Sequence, residues 1–299
     1  MNYHLPVMLN ECIEGLNIHD SGTYVDATFG GGGHSRAIME RLGDSGRLIG
    51  FDQDEDALSN AIDDPRFELV HENFRYVKNH LRMRGVRNVD GLLADLGVSS
   101  HQFDEAGRGF SIRMDGVLDL RMDRRQEMSA RELVNGADEQ ELCRLLRLYG
   151  ELPNAFPMAK AICKAREEKS IETTFDLRDA VSRHLPRGSE NKYLAMLFQA
   201  LRIEVNGELE ALQSLLRQAV EILNPGGRLV VISYHSLEDR LVKNFFKTGN
   251  FEGRLEKDFY GNPIVPLRQV TRKPITVGEE ELQKNNRSRS AKLRVAEKI

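Results

Sequence analysis

Apolar runs and amphipathic stretches alternate along the first third of the chain. Thr23-Tyr24-Val25, Arg47 to Asp52, Phe67 to Val70 and Val89 to Leu96 are short, β-branched or apolar, and read as strands. Between them, Ser35 to about Leu42, Asp54 to about Ile62 and Phe74 through Arg84 carry apolar residues at helical spacing. Val89-Asp90-Gly91-Leu92-Leu93-Ala94-Asp95-Leu96 is apolar at nearly every position, which predicts a central strand covered on both faces. Strand and helix in strict alternation predict an α/β fold with a parallel sheet. Ahead of this, residues 1–22 form a lead-in. It is extended through His4-Leu5-Pro6-Val7-Met8, because a residue before proline avoids the helical region, and carries a short helix from Leu9 to Leu16.

The next strand of this kind is Gly227 to Ser233, entered through the turn Asn224-Pro225-Gly226. About 130 residues intervene, whereas a parallel crossover needs about a dozen. An insertion is therefore expected. It opens with an arginine- and glycine-rich segment, Gly107 to Asp123, and then turns helical. Ser129-x-x-Glu132 is a capping box. Asp138 to Tyr149 places Leu142, Leu145, Leu146 and Tyr149 on one helical face and stops at Gly150. Further helices are predicted over Ala155–Lys169, Thr174–His184 and Tyr193–Val205, and one from Glu208 to Leu223 leads back to the sheet. The predicted organisation is a sheet domain in two parts, residues 1–105 and 207–299, interrupted by an all-helical domain over 106–206. After the fifth strand, His235-Ser236-Leu237-Glu238-Asp239-Arg240 opens a helix running to about Lys247. Residues 249–272 read as loop, and Ala291 to Ala296 as a terminal strand.

The first strand ends in Asp26-Ala27-Thr28-Phe29 and then four consecutive glycines, Gly30 to Gly33, before His34-Ser35 starts a helix. Strand, glycine turn and helix build a ligand crevice at the carboxyl end of a sheet. Asp52, at the end of the second strand, stands where a carboxylate accepts hydrogen bonds from a ribose diol. The dinucleotide fingerprint fails at its third glycine, since Arg36 and Ser35 occupy the two registers, and no lysine follows the loop as a phosphate loop requires. A nucleoside ligand without pyrophosphate fits better, and S-adenosylmethionine is favoured over NAD. Phe74, just past the third strand, reads either as an adenine-packing ring or as a core residue of its helix. The carboxyl edge of strand four, Asp95-Leu96-Gly97-Val98-Ser99-Ser100-His101-Gln102, gathers acceptors and hydroxyls where a reacting atom would sit.

The chain has 299 residues, 29% charged and 40% hydrophobic, which suits a globular protein with a substantial core. No basic segment followed by an apolar run opens it and no long apolar run occurs, so neither a signal peptide nor a membrane span is expected. Cys12, Cys143 and Cys163 lie far apart with no C-x-x-C, and His71-Glu72 has no second histidine at protease spacing. No disulfide framework and no metal is expected, and a reducing cytoplasm fits. The net charge is −4, yet Arg108, Arg113, Arg121, Arg124 and Arg125 crowd one segment, and Lys284, Arg287, Arg289, Lys292 and Arg294 another. Such clusters are read as local phosphate-facing surfaces or as solvated faces.

Taken together, these runs resemble the bacterial small-subunit ribosomal RNA (cytosine-N4)-methyltransferases, the MraW family. The resemblance rests on His4-x-Pro6-Val7, Asp26-Ala27-Thr28-Phe29-Gly30 through His34-Ser35, Asp95-Leu96-Gly97-Val98-Ser99-Ser100-x-Gln102 and Arg108-Gly109-Phe110-Ser111. It continues through Leu118-Asp119-Leu120-Arg121-Met122-Asp123, Phe198 to Asn206, His235 to Arg240 and Arg287 to Arg294. The chain departs from the family in Tyr193 to Leu197, in Tyr234 where phenylalanine is usual, and in Asn286 where proline is usual. The resemblance implies a Rossmann-like S-adenosylmethionine-dependent methyltransferase sheet with an inserted helical domain. It also implies cofactor contacts from Gly32, Gly33, His34, Asp52, Phe74, Asp95 and Gln102. The implied substrate is a cytidine of 16S rRNA in the small ribosomal subunit, with no membrane involved. A homodimer stays open.

An exocyclic cytosine amine is a poor nucleophile, because its lone pair is delocalised into the ring. An acceptor for its N–H helps localise that pair and aims nitrogen at the methyl group. Asp95, Ser99 and Ser100 are the candidates for this, with Tyr234 and His235 facing the base from the neighbouring strand end. Methylation at ring carbon five would instead need a cysteine, and none is expected near either strand end. A catalytically idle assembly factor is the reading from another class, and the intact glycine loop with Asp52 speaks against it.

Overall fold

A computed structural model describes residues 6–299, so His4 of the first family run lies outside the described residues. The chain divides into two compact units, one running up to Gly97 and resuming over Leu209–Ile299, the other spanning Val98–Glu208.

The first unit begins with α1 (Leu9–Leu16), β1 (Thr23–Asp26), α2 (Gly33–Met39) and β2 (Arg47–Asp52). The helix expected from Asp54 is a 3-10 segment, Glu55–Asn60, capped by the Asp54 carboxylate on the Asp56 amide. Its loss of α geometry has a local cause: the segment is only six residues long, about a turn and a half, and an isolated short helix is marginal without packing. β3 (Phe67–His71) follows, then a 3-10 turn over Phe74–Tyr76 capped by Asn73, α3 (Val77–Met83) and β4 (Val89–Asp95).

In the second unit come α4 (Ser100–Asp104), α5 (Ala130–Gly136), α6 (Glu139–Leu148), α7 (Ala155–Glu168), α8 (Thr174–Val181) and α9 (Glu190–Asn206). The Ser129–Glu132 capping box starts α5, and Asp138 caps α6 by accepting from the Glu141 amide at 2.8 Å. The arginine- and glycine-rich segment has only a 3-10 turn over Ala106–Arg108 and a single bridge from Val117 to Thr173, but it is pinned. Arg108 is buried and donates to the carbonyls of Arg121 (3.1 Å) and Met122 (3.2 Å). Asn206, at the end of α9, accepts from the Met122 amide (2.7 Å) and donates to the Leu120 carbonyl (2.8 Å).

α10 (Glu208–Ile222) then leads into β5 (Leu223–Ser233) and α11 (Ser236–Thr248). The region read as loop contains β6 (Leu267–Gln269). Beyond it come β7 (Ile275–Thr276), α12 (Glu279–Lys284) and β8 (Lys292–Lys298). β6 and β7 escape a pattern reading because they are three and two residues long.

The sheet order is β3-β2-β1-β4-β5-β8-β6, with β7 also paired to β8. β1 to β5 are parallel, and β8 lies antiparallel to β5. Alternate residues of each strand serve opposite faces. Val25, Ile49, Leu92, Leu229 and Val231 pack with α3, α10 and α11, while Tyr24, Leu48, Leu93, Val230 and Ile232 pack with α1 and α2. Both faces are therefore covered, as the apolar run of β4 requires. The strand order reverses between β1 and β4, and a doubly wound sheet opens its ligand crevice at that point.

Candidate functional site

The carboxyl ends of β1, β2 and β4 bring Asp26, Asp52 and Asp95 to the same edge of the sheet. The three acids do different work.

Asp26 is a buried strut. It accepts from the Ser35 hydroxyl (2.7 Å) and the Thr28 amide (3.1 Å), which ties the end of β1 to the start of α2. Burial raises its affinity for a proton, and His34, Ser35 and Thr28 counter this. Thr28 also reaches across the switch point, where its hydroxyl accepts from the Asp95 amide at 2.7 Å.

Asp52 holds the glycine turn. One carboxylate oxygen accepts from the Gly30 amide (2.7 Å) and the other from the Asp54 amide (2.9 Å). Burial pushes its carboxyl up to about 6, against the pull of these two amides. Each oxygen keeps a second lone pair. A half-buried, fixed carboxylate of this kind fits a pair of donors such as a ribose diol. The turn itself is held by Asn60, which donates to the Gly30 carbonyl (3.1 Å), and by Arg36, which donates to the Gly31 carbonyl (2.8 Å). Neither residue carries a sequence signal for this role, because both act on backbone carbonyls.

The four glycines are not equivalent. Gly32 adopts φ +74°, and a Cβ there would meet the Arg36 guanidinium at 2.5 Å and the Phe29 ring at 2.8 Å. At Gly33 a Cβ would meet Pro6 at 2.8 Å. The space left by these two glycines is taken by the chain's own side chains, so they shape the turn by packing as well as by exposing backbone.

Asp95 is held at one oxygen. Tyr234 donates its phenol to Oδ1 at 2.7 Å, while His34 Nδ1 lies 3.8 Å from Oδ2. Burial pushes the Asp95 carboxyl up to about 6, with His34 and Tyr234 opposing it. Burial and the neighbouring Asp95 also raise the Tyr234 phenol far above its ordinary range, so it stays a neutral donor.

Phe74 opens its 3-10 turn half-buried against the core cluster of α3 and α10. Ser99 and Gln102 form a capping box at the start of α4: the Ser99 hydroxyl accepts from the Gln102 amide (3.2 Å), and Gln102 Oε1 accepts from the Ser99 amide (3.0 Å). Ser99, Ser100 and Gln102 all belong to the second unit.

His235, expected to face the base, also caps a helix through one of its ring nitrogens. It is the N-cap of α11, with Nδ1 accepting from the Glu238 amide (3.4 Å) and Nε2 lying 3.2 Å from the Glu238 carboxylate. Nδ1 serves that cap, whereas Nε2 is buried and makes no hydrogen bond among the described residues. The cysteine expectation also needs correction. Cys12, buried in α1, lies within electrostatic reach of Asp95 and Tyr234. Burial first, and then the surrounding acids, hold its thiol well above the usual range, which leaves little thiolate to act as a nucleophile.

The basic clusters are mixed. Arg108 serves the fold as described, and Arg121 pairs with Asp119 (2.6 Å) and Arg125 with Asp123 (2.9 Å). In the tail, Arg294 is buried and bonds Asp239 at 2.7 Å, joined by Lys292 at 3.2 Å. These residues face an acid inside the structure rather than a phosphate. Arg113, Arg124, Lys284, Arg287 and Arg289 are exposed.

The chain matches the MraW methylase family over residues 1–299. It belongs to that family. Ribosomal RNA small subunit methyltransferase H of Bacteroides thetaiotaomicron is 55% identical over 298 residues, covering 100% of this chain and 98% of the relative. The protein of the same name from Flavobacterium johnsoniae is 54% identical over 299 residues, covering 100% and 99%. An rRNA-methylase structure from Clostridium thermocellum matches at 14% identity with a TM-score of 0.46, covering 99% of this chain and 100% of that one, too distant a likeness to bear on the site. Among the described residues of this MraW-family chain, no helix is long and apolar enough to cross a membrane.

Proposed function

We infer that this protein methylates the exocyclic N4 of a cytidine in the decoding centre, the P-site region, of small-subunit 16S rRNA. The reading is carried by membership of the MraW family along the whole of residues 1–299, with relatives named as small-subunit rRNA methyltransferases at 55% identity. The cofactor is S-adenosylmethionine, which when bound supplies an electrophilic methyl group on a sulfonium. Asp52 accepts from its ribose hydroxyls. The backbone of Gly32, Gly33 and His34 lines its approach, and Phe74 and Gln102 complete the contacts.

Asp95 is the acceptor for the cytosine amine. One of its oxygens is fixed by Tyr234, and its side chain keeps 21% exposure, so the carboxylate is oriented without being sealed off. Ser99 and Ser100 are second candidates. Ring carbon five is disfavoured, because the thiol of Cys12 is buried and held protonated. The substrate places the protein in the bacterial cytoplasm. Self-association as a homodimer is a separate part of the proposal, decided by light scattering of the purified protein.

Nucleoside mass spectrometry of 16S rRNA from cells lacking the gene tests the reading. N4-methylcytidine should be missing at one position, restored by the wild-type chain and not by Asp52→Ala. A mark that persists, or a loss of 5-methylcytidine instead, overturns it.

A further inference from the structure

We propose that Tyr234, Asp95 and His34 form one proton-holding unit, in which Tyr234 and His34 are positioning residues that make Oδ2 of Asp95 the acceptor of the proton released by the substrate amine. The proposal rests on the reading of the site given above and goes beyond it by assigning the proton.

Three observations define the unit. His34 Nε2 lies 3.0 Å from the carbonyl oxygen of Val7. A carbonyl can only accept, so Nε2 carries the hydrogen, and in the neutral ring Nδ1 holds a bare lone pair. That lone pair faces Oδ2 of Asp95 at 3.8 Å. Two facing acceptors repel unless a proton lies on one of them, so the pair is built to take one. The other oxygen, Oδ1, is occupied by the Tyr234 phenol at 2.7 Å, which leaves Oδ2 as the oxygen to which a proton is delivered.

Tyr234 is itself fixed. Its backbone amide donates to Glu238 at 2.9 Å, and its ring lies over Gly97, where a Cβ would come within 3.2 Å of the ring and φ is +98°. The groups around Asp95 are His34 from α2, Tyr234 at the end of β5, Asp26 at the end of β1, Glu238 of α11 and Cys12 of α1. Of these, only His34 can carry positive charge, so a proton taken up by Asp95 has His34 as its neighbour and otherwise faces acids and neutral groups.

The chemistry balances with one proton. As N4 forms its bond to the methyl carbon, the carbon–sulfur bond breaks with its electron pair passing to sulfur, and the nitrogen sheds one proton. That proton goes to Oδ2 of Asp95, from which His34 Nδ1 can receive it.

The test has one readout in the protein alone and one during turnover. Imidazole nitrogen NMR, with His34 assigned by comparison with His34→Gln, should show the Nε2–H tautomer in the neutral ring. Its titration should shift in both Tyr234→Phe and Asp95→Asn. Tyr234→Phe keeps the ring shape and removes only the phenol, so folding is preserved. Because that phenol favours the charged carboxylate, its loss should move the acid limb of the single-turnover pH profile upward by about one unit, with the cofactor dissociation constant unchanged. A neutral ring protonated at Nδ1, a His34 titration indifferent to both substitutions, or an unmoved acid limb would each overturn the proposal. If the chain methylated no rRNA, the functional reading would fail by itself, since the NMR readout needs no substrate.

Discussion

The Asp52 carboxylate accepts the Gly30 amide at 2.7 Å, so the acid at the end of the second strand is bonded to the glycine turn after the first. The two features that stand out in the sequence as separate ligand signals are one mechanical unit. The bond sets the turn, while burial keeps the carboxylate in want of further donors.

Asp52→Ala should therefore weaken S-adenosylmethionine binding and loosen the turn together. The two proposed ribose hydrogen bonds would be worth about 1.5–3 kcal/mol each at most, and losing the bonds to Gly30 and Asp54 should also lower the melting temperature of the free protein. Calorimetric titration and a thermal melt measure both effects. Unchanged affinity would remove Asp52 from the site, whatever the melt shows.

Asp95→Asn should stabilise the free protein at alkaline pH. The folded carboxyl sits at about 6 against an ordinary value of 3.8, so its contribution to stability is fully present below about pH 4 and is lost as pH rises through 6. An asparagine never ionises, can still accept the Tyr234 phenol at its carbonyl oxygen, and can donate its amide to His34. The variant should exceed the wild type by about 1–3 kcal/mol at pH 8, with the gap closing toward pH 4. Denaturant melts at the two pH values decide it, and a gap of equal size at both would show that Asp95 is not the titrating group. Methyl transfer by the same variant should fall by about a hundredfold or more.

How much of this was legible beforehand depends on the scale of the signal. β1, β2, β4 and β5 were readable from apolar runs, and the insertion from an overlong crossover. α4 was not, because Ser99-Ser100-His101-Gln102 reads equally as a polar edge, and only the reciprocal Ser99–Gln102 bonds show it as a cap. His235 has a second role that its place in the sequence hides. A histidine beside a strand end looks catalytic, and only the Glu238 amide, three residues on, shows its Nδ1 to be a helix cap. The arginine clusters failed differently, since charge counted along the chain cannot distinguish Arg287, which is exposed, from Arg294, which is buried on Asp239.

That distinction predicts two phenotypes within one short tail. Arg294→Ala leaves Asp239 half-buried with Lys292 as its cation, and should cost about 2–4 kcal/mol of stability. Charge reversal at Arg287 and Arg289 together should weaken RNA binding, make its dependence on salt shallower and spare cofactor binding. Binding isotherms at several salt concentrations separate the cases. An unaltered salt slope in the double variant would assign these two arginines to the fold as well.

The last prediction concerns the form of the substrate. A cytidine stacked in folded RNA must be splayed out before its amine can reach a methyl donor. That step costs a few kcal/mol unless the RNA already presents the base. Exposed positive charge is local on a chain of net charge −4, with arginines or lysine at 113, 124, 284, 287 and 289, so a short oligonucleotide finds little electrostatic attraction. A large folded RNA surface offers more contacts and so more of the binding energy that opens the target. Small-subunit particles should therefore be methylated efficiently and a naked fragment carrying the same cytidine poorly. The difference should lie in kcat as well as KM, because the contacts remote from the base serve its presentation. Single-turnover rates with a radiolabelled methyl group on the two substrates measure this directly. Equal rates would mean that the local sequence around the cytidine suffices and that the helical unit reads no ribosomal shape.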